Sequence, residues 1–182
     1  MRIILVLAML LLAISAKAGP ATGFDEVPPP FTERNFLSRI GDVGDKVEAK
    51  ASELVTNAMT FLGVPYKRGG SSVATGFDCS GFVRAIYEQT AGLVLPRSAV
   101  QQAAAAEKID RNDLQPGDLV FFNTMRRTFS HVGIYIGNGE FIHSPKPGAK
   151  VRVESLSLAY WARRFDGARR VSVDSQSESD KP

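Results

Sequence analysis

The chain contains one cysteine and two histidines, and these three side chains are the main candidates for chemistry. Cys79 lies in the segment GFDCSGFV, where a glycine-rich loop gives way to an apolar, helix-like run. His131 and His143 both lie in the later segment SHVGIYIGNGEFIHSP. A thiol, an imidazole that takes its proton and a polar group that orients the imidazole form the set used in nucleophilic acyl transfer. The three residues are therefore candidates for the nucleophile, base and orienting group of acyl transfer.

The position of Cys79 distinguishes it from an ordinary buried cysteine, which is the alternative interpretation. Asp78 is a typical N-cap, and it predicts a helix that runs to about Gln89. Backbone N–H groups and the positive end of the helix dipole favour thiolate over thiol at a first turn. We therefore expect a lowered pKa for the Cys79 thiol. We also expect its backbone N–H to point toward the oxyanion that forms during acyl transfer.

The segment that carries the histidines is typical of a β-hairpin, and two turn lengths are to be weighed. The Asn138–Gly139 dipeptide favours a two-residue turn, because Asn-Gly is the strongest short hairpin signal. That register would place Ile142 on the face of His131 and away from the other aliphatic residues. The parity of the side chains therefore argues against the two-residue turn.

A three-residue loop, Gly137 to Gly139, places the aliphatic side chains of both strands on one face. It pairs Ile136 with Glu140. It also pairs Ile134 with Ile142. The aliphatic residues then share one face of the hairpin: Val132, Ile134, Ile136 and Ile142. We therefore predict this longer loop.

The same register brings the two histidines together. It sets His143 opposite Gly133, and so diagonal to His131 on one face of the sheet. Their backbones are then roughly 7 to 8 Å apart, a gap that two imidazoles bridge, and Gly133 leaves room between them. We therefore predict that both imidazoles lie on the side of the hairpin that faces Cys79.

The surrounding sequence predicts an α+β domain. Apolar residues recur at helical spacing from Val47 to Leu62, and Ser98 is placed to cap a further short helix. After the turn QPGD the pattern is typical of strands, which we predict over Leu119 to Phe122, His131 to Ile136, Phe141 to His143, and Val151 to Val153. Helices followed by a run of strands indicate an antiparallel sheet.

The ends of the chain differ in composition from its middle. Residues 1–18 combine an early arginine, a twelve-residue apolar run and a small-x-small site, and we predict a cleaved signal peptide. The alternative is a membrane anchor, but the run is well short of the roughly 20 apolar residues that span a bilayer. From the composition we predict a Pro/Gly-rich linker over residues 19–45, one domain over residues 46–173 and a disordered tail over residues 174–182.

The charge of the chain without its first 18 residues is close to zero. Two of the 22 basic residues are removed and 20 remain against 19 acidic ones, which gives a formal charge of +1. Such a balance does not indicate binding to nucleic acid. After signal cleavage we expect a monomer that binds neither nucleic acid nor membrane.

Six segments, in this order, resemble those of the NlpC family of papain-like cysteine peptidases, which cut the peptide stems of bacterial peptidoglycan: GVPYKRGG, GFDCSGFV, LPRSAVQQ, LQPGDLVFF, SHVGIYIGNGEFIHSP and RRV. The resemblance runs from about Val47 to Val173. It implies a papain-like fold in which a helix that begins at the nucleophile packs on an antiparallel sheet. By position it implies Cys79 as nucleophile, His131 as general base and His143 as orienting residue. It further implies substrate-binding residues: Tyr66, Asp78 and Ser80.

The resemblance implies an exported endopeptidase that hydrolyses the D-isoglutamyl to meso-diaminopimelate bond of peptidoglycan stem peptides through an acyl-enzyme. It implies no metal or other cofactor. The alternatives are an amidase or acyltransferase on the same fold, and a non-catalytic wall-binding domain. A cysteine and two histidines are also possible zinc ligands, although their separation in the sequence makes this the weaker hypothesis. Arg68 departs from the family pattern, because many relatives have an aromatic residue there.

Overall fold

The computed structural model describes residues 48–172. The predicted signal peptide, linker and tail lie outside the described residues, as do the two ends of the predicted domain, and these assignments stay predictions. Within residues 48–172 no helix is both long enough and apolar enough to cross a bilayer.

The helices precede the main sheet, as the sequence predicts. Helix α1 covers residues 48–60, α2 covers Cys79–Ala91 and α3 covers Ala99–Ala104. A two-stranded ribbon of β1 (Ser71–Ser72) and β2 (Gly76–Phe77) lies between α1 and α2. The chain is then mostly extended, apart from a 3-10 turn (Arg111–Asp113) and a short helix α4 (Ala159–Ala162).

The main sheet has six antiparallel strands in the order β3-β8-β4-β5-β6-β7. Their bounds are β3 Glu107–Ile109, β4 Leu119–Phe122, β5 His131–Gly137, β6 Glu140–His143, β7 Arg152–Ser155 and β8 Phe165–Arg170. The four predicted strands are confirmed as β4 to β7: β4 has the predicted bounds, and the other three differ from theirs by one or two residues at one or both ends. The sequence analysis missed β3 and β8, which lie together at one edge of the sheet.

Helix α2 is fixed at both ends by local interactions. The Asp78 carboxylate accepts a hydrogen bond of 2.8 Å from the backbone N–H of Gly81, so the predicted N-cap is confirmed. The helix ends at Ala91, two residues later than predicted, where Gly92 adopts the left-handed conformation that favours glycine. The predicted cap of α3 is also confirmed, because Ser98 forms a capping box with Gln101.

The two faces of the sheet carry separate apolar clusters because side chains alternate along each strand. One face packs against α2, through residues that include Phe82, Val83, Ile86, Val132, Ile134 and Ile142. The opposite face carries the second cluster, Val120, Phe122, Phe141, Leu156 and Trp161. Burial of each large apolar side chain contributes about 1.5–3 kcal/mol, so these clusters hold α2 and α4 on opposite sides of the sheet.

The predicted three-residue loop of the β5–β6 hairpin is wrong. Gly137 pairs with Glu140, which leaves Asn138 and Gly139 as a two-residue turn. Both turn residues have positive φ, 53° and 74°, the conformation that a type I′ hairpin turn requires. The turn therefore has the length that the Asn-Gly dipeptide favours, not the length predicted from the alternation of the side chains.

A β-bulge between Tyr135 and Gly137 shifts the strand register by one residue. The aliphatic side chains of β5 and β6 beyond the bulge therefore share one face, as the prediction required. Ile136 is the extra residue, so its predicted pairing with Glu140 does not form. Beyond the bulge Ile134 pairs with Ile142, as predicted. The predicted register near the histidines is thus present, and it is produced by the bulge in β5 and not by a longer loop.

Candidate active site

Cys79 and His131 border the same surface cavity, whose volume is about 560 Å³. Cys79 is the first residue of α2 and is partly buried, and His131 is the first residue of β5. His143 is fully buried, and its Nδ1 lies 2.7 Å from Nε2 of His131. The structure therefore groups the three side chains that the sequence analysis selected.

The prediction that both imidazoles lie on the side of the hairpin that faces Cys79 is wrong. Helix α2 packs on the aliphatic face of the sheet, whereas the histidine rings lie among the aromatic residues of the opposite face. Cys79 and His131 border one cavity because each begins its element, α2 or β5. The backbone N–H of Val132, the next residue of β5, favours the thiolate form of Cys79 and so acts to lower the pKa of the thiol.

Aromatic rings hold the two imidazoles in place. The ring of Trp161 stacks on His131, with centroids 5.5 Å apart and an angle of 21° between the planes. The same indole meets His143 edge-on at 5.0 Å, and Phe141 packs against His143 at 4.7 Å. Trp161 comes from the short helix α4, which the sequence analysis did not predict, so its role at the site was missed.

A fourth polar residue, Glu154, extends the row of histidines and was also missed. Its Oε2 lies 2.7 Å from Nε2 of His143, and Arg152 donates a second hydrogen bond of 3.2 Å to the same oxygen. Glu154 lies on β7, where it pairs with Phe141 of β6. Only the β6–β7 register brings it near His143, and the sequence has no local signal for that register.

Burial makes the charged forms of the imidazoles unfavourable. Desolvation, reinforced by the charge of His143, lowers the pKa of His131 to about 3, against a partial opposing effect of Glu154. Desolvation also lowers the pKa of His143, while its hydrogen bond and charge interaction with Glu154 raise it. At neutral pH both histidines are therefore uncharged.

The expected lowering of the thiol pKa is not found. Burial, followed by the charge of Asp78, raises the pKa of Cys79. Hydrogen bonds from backbone N–H groups at the start of α2 and of β5 act in the opposite direction without reversing the shift. At neutral pH the neutral thiol of Cys79 and the neutral imidazole of His131 therefore border the same cavity.

A second cavity, also about 560 Å³, lies on the other side of Cys79. Tyr66 lines only the first cavity, Ser80 only the second, and Asp78 and Cys79 line both. Arg68, the residue that departs from the family pattern, also lines both. The two cavities are adjacent at these shared residues and together form a groove that borders Cys79.

The Asp78 carboxylate is fully occupied by groups of the protein itself. It caps α2, accepts from the backbone N–H of Gly69 at 3.0 Å, and pairs with Arg97 through contacts of 3.0 and 2.6 Å. Arg97 also donates to the Ser80 hydroxyl at 3.0 Å. The sequence analysis missed Arg97, although it lies in the segment LPRSAVQQ. Asp78 and Ser80 thus hold Arg97 at the wall of the second cavity.

Comparisons with known proteins agree with this geometry. Residues 63–170 match the NlpC/P60 family. The murein DD-endopeptidase MepH of Escherichia coli (strain K12) is 45% identical over 138 residues, which are 72% of this chain and 51% of that protein. The gamma-DL-glutamyl hydrolase of Bacillus subtilis (strain 168) is 45% identical over 118 residues, 64% of this chain and 28% of that protein.

A solved structure supports the same assignment. The NlpC/p60 domain of the peptidoglycan hydrolase SagA is 36% identical, with a TM-score of 0.59, and the likeness covers 66% of this chain and 98% of that domain. The chain spans about half the length of MepH and less than a third of the Bacillus subtilis hydrolase. The predicted papain-like α+β fold is confirmed, and the chain belongs to the NlpC/P60 family.

Proposed function

We propose that this protein is a peptidoglycan endopeptidase that acts through a Cys79 acyl-enzyme, with His131 as general base and His143 as the residue that orients it. The observation that carries the proposal is the placement of Cys79 and His131 on one cavity, with His143 bonded to the far side of the His131 ring. The names of the relatives, a murein endopeptidase and a gamma-DL-glutamyl hydrolase, support the substrate class.

The reaction begins from a neutral thiol and a neutral imidazole. His131 takes the thiol proton as the sulfur attacks the scissile carbonyl carbon, and a C–S bond forms. The backbone N–H of Cys79 stabilises the oxyanion. The imidazolium then gives its proton to the leaving amine as the C–N bond breaks. Water, deprotonated by the same imidazole, attacks the thioester, which releases the acid and restores the thiol.

For the bond that is cut, we propose the link between D-isoglutamate and meso-diaminopimelate. The relative named gamma-DL-glutamyl hydrolase supports this choice. A second candidate is the D,D cross-link between stems, because MepH is named a murein DD-endopeptidase. Both substrates carry free carboxylates. Cationic side chains line the groove on both sides of Cys79, which suits such substrates: Arg68, Arg97, Arg127, Lys146 and Arg152.

The groove residues have different parts in this proposal. Tyr66, in the wall of the first cavity, contacts the substrate directly. Asp78 and Ser80 act mainly through Arg97, whose guanidinium they hold in the second cavity. Contacts of this kind, remote from the reacting carbonyl, put binding energy into positioning the γ-linked carbonyl over the sulfur. Ordinary α-linked L-peptides are then poor substrates.

Mass spectrometry of digested muropeptides tests the proposal. Reduced protein of residues 19–182 is incubated with uncrosslinked stems and with crosslinked dimers, and Cys79→Ala serves as the matched control. We expect fragments that end in D-isoglutamate and fragments that begin with the diamino acid. Dimers that become monomers with intact stems would instead identify a D,D-endopeptidase. Release of the whole stem at L-alanine would identify an amidase, and unchanged substrate would favour a wall-binding domain.

Chelation separates the proposal from the zinc alternative. Among residues 48–172, no group of three or more His, Cys, Asp or Glu side chains is arranged as metal ligands would be. We expect full hydrolysis in the presence of EDTA and loss of hydrolysis after thiol alkylation with iodoacetamide. Activity that is removed by EDTA and restored by Zn²⁺ would contradict the acyl-enzyme mechanism.

For localisation we propose export after cleavage behind residue 18, to the periplasm or beyond, as a monomer. The apolar run and the small-x-small site support export. N-terminal sequencing of the protein from an expressing bacterium checks the cleavage, with Gly19 expected as the first residue. Recovery of the uncleaved chain from the membrane fraction would support the anchor alternative.

A further inference from the structure

Three side chains form a row of hydrogen bonds beside the first cavity, which both ends of the row, His131 and Glu154, line. Nε2 of His131 lies 2.7 Å from Nδ1 of His143, and Nε2 of His143 lies 2.7 Å from Oε2 of Glu154. Both separations are those of short hydrogen bonds, and each bond needs one proton. His131 and His143 are 4% and 0% exposed, so water does not compete for these ring nitrogens.

The direction of the protons follows from the end of the row. An ionised carboxylate only accepts hydrogen bonds, so the shared proton of the second bond lies on Nε2 of His143. The pKa of Glu154 is lowered to about 2, first by its hydrogen bond with His143, so the carboxylate is ionised at neutral pH. A neutral His143 then has a lone pair on Nδ1, which requires a proton on Nε2 of His131. The lone pair of a neutral His131 is left on Nδ1.

We propose that Glu154 is a positioning residue that fixes the tautomer of both imidazoles, so that Nδ1 of His131 is the nitrogen that takes the Cys79 proton. The inference rests on the proposed role of His131 as the base. It assigns to Glu154 a function that neither the motifs of the sequence nor the comparisons identify. The carboxylate lines the first cavity, and in this proposal it acts on His131 over two hydrogen bonds.

The surroundings of His143 explain why Glu154 decides the tautomer. Phe141 and Trp161 also pack on the His143 ring, and neither has a lone pair that accepts a hydrogen bond. Arg152 bonds the same carboxylate oxygen of Glu154 at 3.2 Å and favours its ionised form. When leucine replaces Glu154 and fills its place with apolar atoms, the proton of His143 gains a protein partner by moving to Nδ1, toward His131.

That movement would reverse the whole row. A proton on Nδ1 of His143 donates to Nε2 of His131, which must then be the unprotonated nitrogen. The proton of His131 would move to Nδ1, the position that has to be free to receive the thiol proton. A wrong tautomer of the base costs rate even when the positions of the atoms are unchanged. Removal of Glu154 is therefore expected to lower kcat more than it changes KM.

The test reads the tautomers directly by ¹⁵N NMR of the imidazole rings. The chain has two histidines, so a histidine-labelled sample gives two ring systems to assign. The variants are Glu154→Leu, which removes the acceptor, and Glu154→Gln, whose amide offers an oxygen or an NH₂ group. Glu140→Gln is the matched control, because Glu140 is an exposed glutamate on the neighbouring strand β6.

In the wild type and in Glu140→Gln we expect a proton on Nε2 and none on Nδ1 in both rings. In Glu154→Leu we expect Nδ1 protonation to increase in both rings together, and in Glu154→Gln a mixture of the two tautomers. We expect kcat to fall on the order of 10- to 100-fold in Glu154→Leu, with KM within about twofold of the wild type.

Two results would overturn the inference: Nδ1 protonation of His131 in the wild type, or unchanged tautomers in the Glu154 variants. Glu154→Gln has nearly the volume of the natural residue, so it keeps the test decisive if Glu154→Leu does not fold. The spectra require no turnover. Predicted tautomers in a protein that hydrolyses no muropeptide would therefore count against the proposed function while supporting the role of Glu154.

Discussion

His131 and His143 share a hydrogen bond of 2.7 Å although they are twelve positions apart in the chain. The bond depends on the register in which Ile134 pairs with Ile142, because this register sets Gly133 opposite His143. A glycine at that position leaves room for the second imidazole. The two imidazoles are thus positioned by the register of this hairpin.

Substitution of Gly133 by alanine is expected to disrupt this approach. A Cβ atom there would lie 2.7 Å from Cδ2 of Phe141 and 3.1 Å from Cβ of His143. These neighbours are buried, so the strand must shift. We expect about 1–3 kcal/mol of lost stability in urea denaturation and a fall in kcat. Wild-type values of both quantities in a folded Gly133→Ala protein would contradict the account.

Cys79→Ala is expected to abolish hydrolysis and to leave the fold intact. In the proposed mechanism the substitution removes the sulfur that forms the acyl-enzyme, while alanine keeps the Cβ atom of this partly buried side chain and loses only one heavy atom. Muropeptide hydrolysis and the thermal midpoint are the two measurements. Turnover comparable to the wild type would exclude the thiol mechanism, and a large drop in the midpoint would show that the thiol is a packing residue.

The two histidines are expected to differ in the size of their effects. His131→Ala removes the group that takes the proton, so we expect a loss of kcat nearly as large as in Cys79→Ala. His143→Ala is expected to leave more activity, because His143 acts only through His131. Steady-state kinetics of both variants, each checked for folding by circular dichroism, gives the comparison. Equal losses would place His143 in direct contact with the reaction.

Stability is expected to fall as the solution is acidified. The pKa of His131 is lowered from 6.5 to about 3 in the folded protein, so the unfolded chain binds more protons below pH 6.5. This contribution is fully present above pH 6.5, and it is lost as the pH falls toward 3. The lowered pKa of Glu154 adds a loss of the same sign between pH 4.5 and about 2.

Urea denaturation at a series of pH values measures this dependence. We expect the free energy of unfolding to change by up to about 1.4 kcal/mol per pH unit for each group inside its window. His131→Phe, which keeps an aromatic ring against Trp161, is the matched variant and is expected to reduce the slope between pH 6.5 and 4.5, where the lowered pKa of His143 also contributes. A wild-type curve that is already flat there would show that His131 is not desolvated.

Asp78 is expected to be a stability residue as well as a groove residue. Asp78→Ala loses the helix cap and the hydrogen bond from Gly69, and we expect about 1–3 kcal/mol of lost stability. Asp78→Asn keeps an oxygen for the cap and loses the charge that pairs with Arg97. The smaller effect expected for Asn reflects the half-exposed guanidinium, since solvent screens the pair. Equal urea midpoints for both variants would show that the cap contributes nothing.

Features that depend on neighbouring residues were predictable from the sequence. The cap at Asp78 and the start of α2 at Cys79 follow from groups within one helical turn, and the structure confirms both. The pairing of Ile134 with Ile142 follows from alternation along two adjacent strands. The bulge at Ile136 was not predictable. A three-residue loop and a two-residue turn followed by a bulge place the same side chains on the same face, and they differ only in backbone geometry.

Features that depend on distant packing were decided by the tertiary structure alone. Glu154 reaches His143 through the β6–β7 register, and Trp161 covers both imidazoles from a helix that follows β7. The raised pKa of Cys79 has the same origin, because the helix-start position favours thiolate locally while burial by the assembled fold opposes it. The sequence thus determined which groups are the candidates for chemistry and where their elements begin. The assembled fold decided their solvation and hydrogen-bond partners, since both depend on atoms that come close only after folding.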